Sequence, residues 1–218
     1  MSPRPRTVPD ADILLAAQKA MARLGPARLT LADVARDAGL SPATLVQRFG
    51  SKRGLMLALW ASALDGVDDC FEMLRPAHPS PLDAALAGAT EMARYTTSPE
   101  EFSNHLAFLQ IDLSDPEFHG YMLEMSQRME AGYVALLDEA VRAGELVRCD
   151  TTALARAISA IAGGSLISWA VFRHGTAEAW VRGDLETLVG PYRATKPLRR
   201  GGRRPIAKNT KLAKSAKR

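Results

Sequence analysis

Apolar residues recur along most of this chain at intervals of three and four positions, the spacing that places them on one face of an α-helix. No convincing run of alternating apolar and polar residues predicts a strand. Serine, threonine or aspartate, often followed by proline, marks the start of most segments, and glycine marks several ends. The pattern predicts an all-α protein with helices at about 10–24, 31–38, 42–49, 52–75, 81–96, 99–113, 116–143, 151–174 and 177–191.

Two of these predicted helices are short and follow one another closely near the N-terminus. Thr30 and Asp33 have the spacing of a capping box at the start of the first. Ser41 precedes the second as its N-cap, and Leu45 and Phe49 form the apolar side of that helix. The pair predicts a helix-turn-helix unit, although an ordinary helical hairpin with a polar outer face fits the same pattern.

Charge is distributed unevenly along the sequence. Residues 1–55 hold nine Lys or Arg and four Asp or Glu, a net charge of +5. Residues 56–192 hold eight basic and twenty acidic residues, a net charge of −12, whereas residues 193–218 hold eleven basic residues and no acid. Basic ends on an acidic middle predict contact with a polyanion at the ends, and solvated charge without a partner is the alternative.

Lys52 and Arg53 stand in the first turn of the fourth predicted helix. Cations placed there face the positive end of the helix dipole, which is mildly unfavourable. A bound phosphate reverses the sign of this effect, because it meets free backbone N–H groups and a cation together. The sequence therefore predicts that DNA backbone lies at the start of this helix.

Many apolar, turn and capping residues stand at fixed spacing between residues 10 and 60: Ile13, Leu14, Ala16, Ala17, Gly25, Leu29 to Ala35, Ala38 to Ser41, Thr44, Leu45, Phe49, Ser51 and Lys52. Together they resemble the headpiece of the TetR/AcrR family of transcriptional regulators. The resemblance covers about a quarter of the chain. It implies an N-terminal three-helix helix-turn-helix DNA-binding domain joined to a larger helical ligand-binding and dimerisation domain.

The second short helix carries the side chains expected to meet bases. Gln47 has the groups to pair with an adenine edge, and Thr44 those to take a phosphate or a thymine methyl group. Val46 stands where the family usually has a phosphate-binding Tyr, so it removes that contact and is a candidate reader of a thymine methyl group instead. Ala43 and Arg48 replace the common Gly and His. The predicted DNA-binding set is Thr30, Arg36, Ala43, Thr44, Val46, Gln47, Arg48 and Lys52.

The resemblance also implies a small-molecule cavity in the middle of the chain. Methionine and aromatic residues there suit an adaptable apolar pocket, and they suit an ordinary core equally well. Tyr95 and His105 are the polar members most suited to orient a ligand. The candidates are Met92, Tyr95, Phe102, His105, Phe108, Met122, Met125, Met129 and Tyr133.

Family members pair through their last two helices, which implies a homodimer built on 152–172 and 177–189. The first of these segments is rich in small residues, and adjacent glycines within a helix favour close helix approach. Packing within one subunit is the alternative. The candidate interface residues are Ala157, Ala160, Gly164, Ile167, Trp169, Trp180 and Leu188.

Four segments follow from these observations: a flexible basic arm at 1–9, the helix-turn-helix domain at 10–55, the helical regulatory and dimerisation domain at 56–192, and a disordered basic tail at 193–218. No signal peptide is visible, and the most apolar stretch, 157–172, is only 16 residues long. The chain is therefore predicted to be cytoplasmic and nucleoid-associated, with no membrane partner. The two cysteines, Cys70 and Cys149, stand 79 positions apart without ligand spacing, so neither a metal nor a cofactor is expected.

These patterns predict a sequence-specific transcription regulator that is not an enzyme. No nucleophile with a base, metal spacing or phosphate loop is recognisable in the sequence. The expected partners are double-stranded DNA with a palindromic operator, a second copy of the chain, and an apolar or amphipathic small-molecule effector. Repression is favoured over activation, because no polymerase-recruiting segment is visible. The alternative is a nonspecific architectural nucleic-acid-binding protein that acts through its basic tail.

Overall fold

The computed structural model describes residues 8–194, and it is all-α in this range. The predicted basic tail beyond Ala194 and residues 1–7 of the predicted arm lie outside the described residues. Nine α-helices and one 3-10 turn make up the described chain, without a strand. They are α1 Asp10–Arg28, α2 Leu31–Asp37, α3 Pro42–Phe49, α4 Lys52–Ala77, α5 Pro81–Tyr95, α6 Pro99–Ser114, α7 Pro116–Arg142, α8 Thr151–Phe172, α9 Ala177–Val189 and the turn Gly190–Tyr192.

Side-chain caps set the starts of the helices, which explains why the predicted boundaries agree with the structure. An oxygen of the capping side chain accepts a hydrogen bond from a backbone N–H of the first turn in α2 to α9. Each cap satisfies a donor that the helix itself leaves free. These caps are Thr30, Ser41, Ser51, Ser80, Ser98, Asp115, Asp150 and Thr176.

The first helix ends later than the predicted end near Leu24. Gly25 breaks α1 with a φ of 68°, and one further turn then continues to Arg28. Glycine is required at this break for two reasons, because φ is positive and because a Cβ there would lie 2.5 Å from the amide oxygen of Asn104 in α6. The Asn104 amide also donates to the Ala22 carbonyl at 2.8 Å, so α6 holds the end of α1.

The apolar core has two parts. Buried residues of α1 to α4, including Ile13, Leu45 and Leu55, form the core of the headpiece, which we define as residues 10–55. Phe108 of α6 and Phe118 of α7 complete this core, although both lie beyond the predicted domain boundary. A second core joins α5, α7, α8 and α9 in what we call the body, residues 56–192. The headpiece is therefore packed on the body rather than tethered to it.

Helices α4 and α7 pack side by side and run parallel from the headpiece to the opposite end of the body. Three ion pairs mark their register. Arg53 contacts Glu117 at 2.7 Å, Arg128 contacts Asp68 at 3.4 Å, and Arg75 contacts Glu139 at 2.6 Å. The 22 residues from Arg53 to Arg75 correspond to about 33 Å of helix.

Helix α8 is longer than the apolar stretch read from the sequence. It has 22 residues and a mean hydropathy of 1.4 over its most apolar window, which among the described helices makes it the one long and apolar enough to cross a membrane. The apolar stretch 157–172 is the C-terminal part of this longer helix. A single such helix is weak evidence for a span, since core helices of soluble proteins pass the same test. Here α8 packs on α9, where the Ser165 hydroxyl donates to Asp184 at 2.6 Å.

Candidate DNA-binding interface

The two short helices α2 and α3 are held in the arrangement that the sequence predicts. Thr30 and Asp33 form the capping box, with the Thr30 hydroxyl donating to the Asp33 carboxylate at 2.6 Å. This hydrogen bond is the main reason why the pKa of Asp33 is lowered. Gly39 turns the chain with a φ of 67°, and Leu45 anchors α3 in the headpiece core with no exposed surface. The anchor is required because an eight-residue helix is not stable alone.

The side of α3 opposite to Leu45 faces solvent. Ala43, Val46 and Gln47 are exposed there, and half of the Val46 surface is accessible. Thr44 is only partly exposed, and its hydroxyl lies 2.9 Å from that of Ser41. The surface combines small, apolar and amide groups at one-turn spacing, which is the chemistry that suits the edges of bases in a major groove.

The three basic residues of the predicted set each contact another part of the headpiece. Arg36 pairs with Asp33 and Asp37 but remains 62% exposed. Arg48 donates to the Val8 carbonyl and to the Asp10 carboxylate at 3.0 Å, so it fixes the start of α1 beside the end of α3. Lys52 donates to the Pro26 carbonyl.

Arg53 does not have the environment that its sequence position predicts. One nitrogen of its guanidinium, Nη2, donates to both Asp115 carboxylate oxygens at 3.0 Å, and Nε donates to one of them at 3.4 Å. The guanidinium also contacts Glu117 and lies over the ring of Phe118. Arg53 is therefore a link between the headpiece and the start of α7 rather than a free phosphate ligand. This contact could not be predicted from the sequence, because the partners of Arg53 are 62 or more residues away along the chain.

The Asp115 carboxyl combines two roles in this link, because it also caps α7. Partial burial alone would raise its pKa, but hydrogen bonds from Arg53 and from the backbone N–H groups of α7 together lower the pKa below the ordinary value. A lowered pKa in the folded state means that this carboxylate stabilises the fold above about pH 4 and that the contribution is lost as the pH falls through the folded-state pKa.

We expect the free energy of unfolding to decrease less between pH 5 and pH 2 in the Asp115→Asn variant than in the unchanged protein. Asparagine caps a helix as well as aspartate does, so the substitution removes the charge and keeps the cap. Denaturant unfolding at a series of pH values measures the free energy of unfolding of each protein. Asp150→Asn is the matched control, since Asp150 caps α8 and its described hydrogen bond comes from the Ala153 backbone. Equal pH slopes in the two variants would contradict a special role for the Arg53 link.

The predicted pocket residues do not come together around one cavity. Phe108 belongs to the headpiece core, Tyr95 is 75% exposed, and His105 lies on the surface of α6. Neighbouring helices still desolvate the His105 ring enough to lower its pKa. The side chain of Met92 lies outside the described residues. Phe102, Tyr133 and Met129 lie in or against the body core, and Met122 and Met125 are partly exposed on α7.

Two surface clefts of the described chain are lined by other residues. One, of about 860 Å³, lies between α1 and α2 and is lined by Asp12, Lys19 and Arg23 among others. The other, of about 340 Å³, is lined by Pro99, Trp169 and further residues near the end of α8. None of the pocket candidates is among the residues that line these two clefts, so their role in effector binding stays a prediction.

Close packing fills the space between α4, α5 and α7. The Phe71 ring lies so near to Gly132 that a Cβ there would be 2.5 to 2.6 Å from its atoms. The ring of Tyr133 meets Phe71 edge to face at 5.2 Å, and burial raises the pKa of its hydroxyl. Phe71 was not among the predicted pocket residues, although it stands four positions after Val67 and three before Leu74, the spacing of one helix face.

Most of the predicted interface residues lie along one exposed face of α8 and α9. Ala160 and Gly164 are exposed and Ile167 is half-exposed, while Ala157, Trp180 and Leu188 are partly buried. A Cβ built at Gly163, Gly164 or Gly183 meets no atom within 4 Å. Trp169 does not belong to this face, because it is buried within the subunit and its ring N–H donates to the Gly175 carbonyl at 3.2 Å.

The described residues hold no group of three or more His, Cys, Asp or Glu able to bind a metal ion. Cys70 and Cys149 are both free and partly buried, and burial raises the pKa of each thiol.

Comparison with known proteins gives one match to a family model. Residues 13–59 match the N-terminal domain of the bacterial regulatory proteins of the tetR family. This range contains α2, α3 and the start of α4. A comparison with curated protein sequences finds no match.

Solved structures share the fold over most of the described chain. A TetR transcription regulator from Haloarcula marismortui is 16% identical with a TM-score of 0.70, over 84% of this chain and 97% of that one. A TetR regulator from Streptomyces coelicolor is 22% identical with a TM-score of 0.64, over 86% and 100% of the two chains. A putative regulator from Saccharomonospora viridis, solved in complex with choline, is 18% identical with a TM-score of 0.69, over 86% and 98%.

Proposed function

We propose that this chain, which belongs through its N-terminal domain to the TetR family of bacterial regulatory proteins, is a transcriptional repressor that binds a palindromic operator as a homodimer and responds to a small effector. The observation that carries the proposal is the exposed face of α3, set on a buried Leu45 anchor within the matched segment.

Base reading is assigned to the exposed face of α3. Gln47 presents an amide that can form two hydrogen bonds with adenine, and Val46 presents methyl groups beside it. Thr30, Arg36, Ala43 and Thr44 complete the proposed DNA-binding set. Arg48 and Lys52 are assigned a structural role in addition to a phosphate contact. Arg48 donates to the Val8 carbonyl just before α1, and Lys52 donates to the Pro26 carbonyl near the end of α1.

Dimerisation is assigned to the exposed face of α8 and α9. Small residues at Ala160, Gly163, Gly164 and Gly183 let two backbones approach closely, and Ile167 supplies apolar surface. Two headpieces on one dimer bind a two-fold site far more tightly than one headpiece binds half of it. Because this contact is proposed between identical surfaces, each residue on the axis meets its own copy.

The effector is proposed to act in the body between α4, α5 and α7. The choline held by the regulator from Saccharomonospora viridis supports the idea that this fold accepts a small molecule, without identifying one for this chain. Here the space is filled by Phe71 against Gly132 and Tyr133, so an effector has to move the Phe71 ring. Displacing this ring shifts α4 relative to α7, and α4 begins at the headpiece.

Selection of bound sites from random duplex DNA tests the proposal. Truncation after Ala194 removes the basic tail and keeps the pairing of Tyr192 and Ala194 with the loop before α8. We expect one palindromic motif, bound about 10³-fold more tightly than random DNA. The Gln47→Ala variant is expected to relax preference at one position of each half-site at a cost of about 1–3 kcal/mol per half-site.

The matched control is Gln110→Ala, an exposed glutamine on α6 away from α3. Binding without sequence preference, or binding that disappears with the tail, would favour the architectural alternative, in which the tail alone holds nucleic acid. Repression is tested separately, by placing the selected site in front of a reporter gene. Higher expression when the protein is present would contradict it.

A further inference from the structure

One face of α6 carries the residues that hold the headpiece on the body. They recur at intervals of four, four and three positions, which is the spacing of neighbours on one side of a helix. At about 100° per residue, these positions lie within about 80° of each other around the helix axis. We call this set the α6 stripe: Asn104, Phe108, Asp112 and, directly after the helix, Asp115.

Each member of the α6 stripe contacts a different part of the headpiece or of α4. Asn104 donates to a backbone carbonyl near the end of α1 at 2.8 Å, and Phe108 lies in the headpiece core. The Asp112 carboxylate accepts from the indole N–H of Trp60 at 3.1 Å, and Asp115 binds the guanidinium at the start of α4. Because α4 continues from the headpiece into the body, its position against α6 sets the orientation of the headpiece.

The contact between Asp112 and Trp60 differs from the others because it buries a carboxyl group without a cation. Only 5% of Asp112 is exposed, and within the described part of the chain its carboxylate has one hydrogen bond, from Trp60, and no ion pair. Burial raises the pKa of this carboxyl group, although the hydrogen bond opposes the rise. A carboxyl group buried in this way contributes less to stability than well-packed apolar side chains of similar volume would.

A buried polar pair of this kind specifies one alignment of the two helices that carry it. Apolar side chains tolerate a small sliding movement between α4 and α6. A slide of one residue, about 1.5 Å along the helix, would break the hydrogen bond and leave the Asp112 carboxyl group and the Trp60 N–H without a partner. Single buried polar groups fix the register of packed helices in this way, at a cost in stability.

We propose that Asp112 and Trp60 are positioning residues that determine which spacing between operator half-sites the protein accepts. Their hydrogen bond holds the headpiece at one angle to the body, and in a dimer this angle sets the distance between the two α3 surfaces. Each base pair added between half-sites moves one of them by about 3.4 Å and turns it by about 35° around the duplex. A fixed headpiece cannot follow that change, so the dimer keeps only one half-site. This inference rests on the proposed binding of an operator by a dimer.

Operator duplexes of altered spacing test this inference on the full chain. The Trp60→Phe/Asp112→Leu double variant removes both polar groups, so neither is left unsatisfied, and leucine fills part of the space that the indole leaves. We expect the unchanged protein to bind the selected spacing about 100-fold more tightly than duplexes with one base pair added or removed, because the second headpiece no longer contributes. In the double variant this ratio is expected to fall to about 10-fold or less, with affinity for the selected spacing changed by less than about 3-fold. The urea midpoint of unfolding is expected to stay the same or to rise.

Asp112→Asn is the matched control for the double variant. Its amide oxygen still accepts from the indole N–H while the charge is removed, so the spacing preference is expected to stay close to that of the unchanged protein. Asn104→Ala supplies a second test at a partly exposed position of the α6 stripe, where truncation leaves no buried group unsatisfied. We expect this variant to relax the spacing preference in the same direction and by a smaller factor.

A distance measured within one chain separates this inference from operator binding. Spin labels at Gln18 of α1 and Gln127 of α7, both exposed, report the position of the headpiece on the body without DNA. Cys70 and Cys149 are replaced by Ala in every protein compared, and labelled chains are diluted into unlabelled ones. We expect a broader distance distribution in the double variant than in the unchanged protein or in Asp112→Asn.

Three outcomes would overturn the inference: an unchanged spacing ratio in the double variant, a relaxed ratio in Asp112→Asn, or equal distance distributions in all proteins. Failure of the unchanged protein to select any palindromic site would contradict the proposed function instead. The distance distributions would then still decide whether the hydrogen bond between Asp112 and Trp60 fixes the headpiece.

Discussion

Replacing Leu45 by alanine is expected to lower the free energy of unfolding by about 2–5 kcal/mol and to abolish operator binding near physiological temperature. Leu45 has no exposed surface, and it anchors a helix of only eight residues. Its truncation removes apolar burial and leaves a cavity in the headpiece core, which surrounding helices fill only in part. Because an eight-residue helix is not stable alone, the substitution would disrupt the surface that is proposed to read bases.

The control is Val46→Ala on the neighbouring position of the same helix. Val46 is half exposed and faces away from the core, so the free energy of unfolding is expected to change by less than about 0.5 kcal/mol. Denaturant unfolding measures stability, and titration of the selected duplex measures affinity. Similar stability losses in the two variants would contradict the placement of Leu45 as the anchor of α3.

Replacing Gly164 by arginine is expected to convert the proposed dimer into a 23.6 kDa monomer and to raise the dimer dissociation constant at least about 100-fold. The residue lies on the exposed face of α8, where an added Cβ meets no atom of its own subunit. In a two-fold interface each Gly164 faces the partner's equivalent surface, so two cations would be buried near each other. Loss of the second headpiece then lowers operator affinity by about 10²-fold or more.

Gly66→Arg is the matched control for this experiment. Gly66 is an exposed glycine within α4 with open space around its Cβ position, and both substitutions exchange glycine for a better helix former. Light scattering and sedimentation measure the mass of each variant. A dimeric Gly164→Arg protein with unchanged operator affinity would exclude this face as the interface.

Helix boundaries could be predicted from the sequence because their causes are local. Ser41, Ser98 and Asp115 each cap the helix that they precede, and proline at the next position fixes the first turn. The kink in α1 is partly local as well, since Gly25 and Pro26 marked an interruption. The extra turn to Arg28 could not be foreseen, because α6 holds the end of α1 through Asn104.

The exposure of the candidate DNA-binding side chains was predictable where it depends on the headpiece alone. The exposed face of α3 with Gln47 follows from the position of Leu45 on the opposite side. The partners of Arg53 and the place of Phe108 in the headpiece core were not predictable, because both depend on how α6 and α7 pack against distant parts of the chain. The pocket candidates are distributed over different parts of the structure for a related reason, since periodicity gives the apolar side of a helix but not the helix that it faces.

For the effector site proposed above, the position of Phe71 against Gly132 would affect both the rate and the strength of binding. A molecule that enters between α4 and α7 can bind only those proteins in which the Phe71 ring has moved away from Gly132, so its binding rate depends on how often the ring moves. Where that open fraction is about 1%, the apparent affinity is about 100-fold weaker than the intrinsic one. Under the proposed function, a smaller side chain at position 71 would let the protein respond faster and at a lower effector concentration, so the Phe71 ring would set the effector concentration at which the response begins.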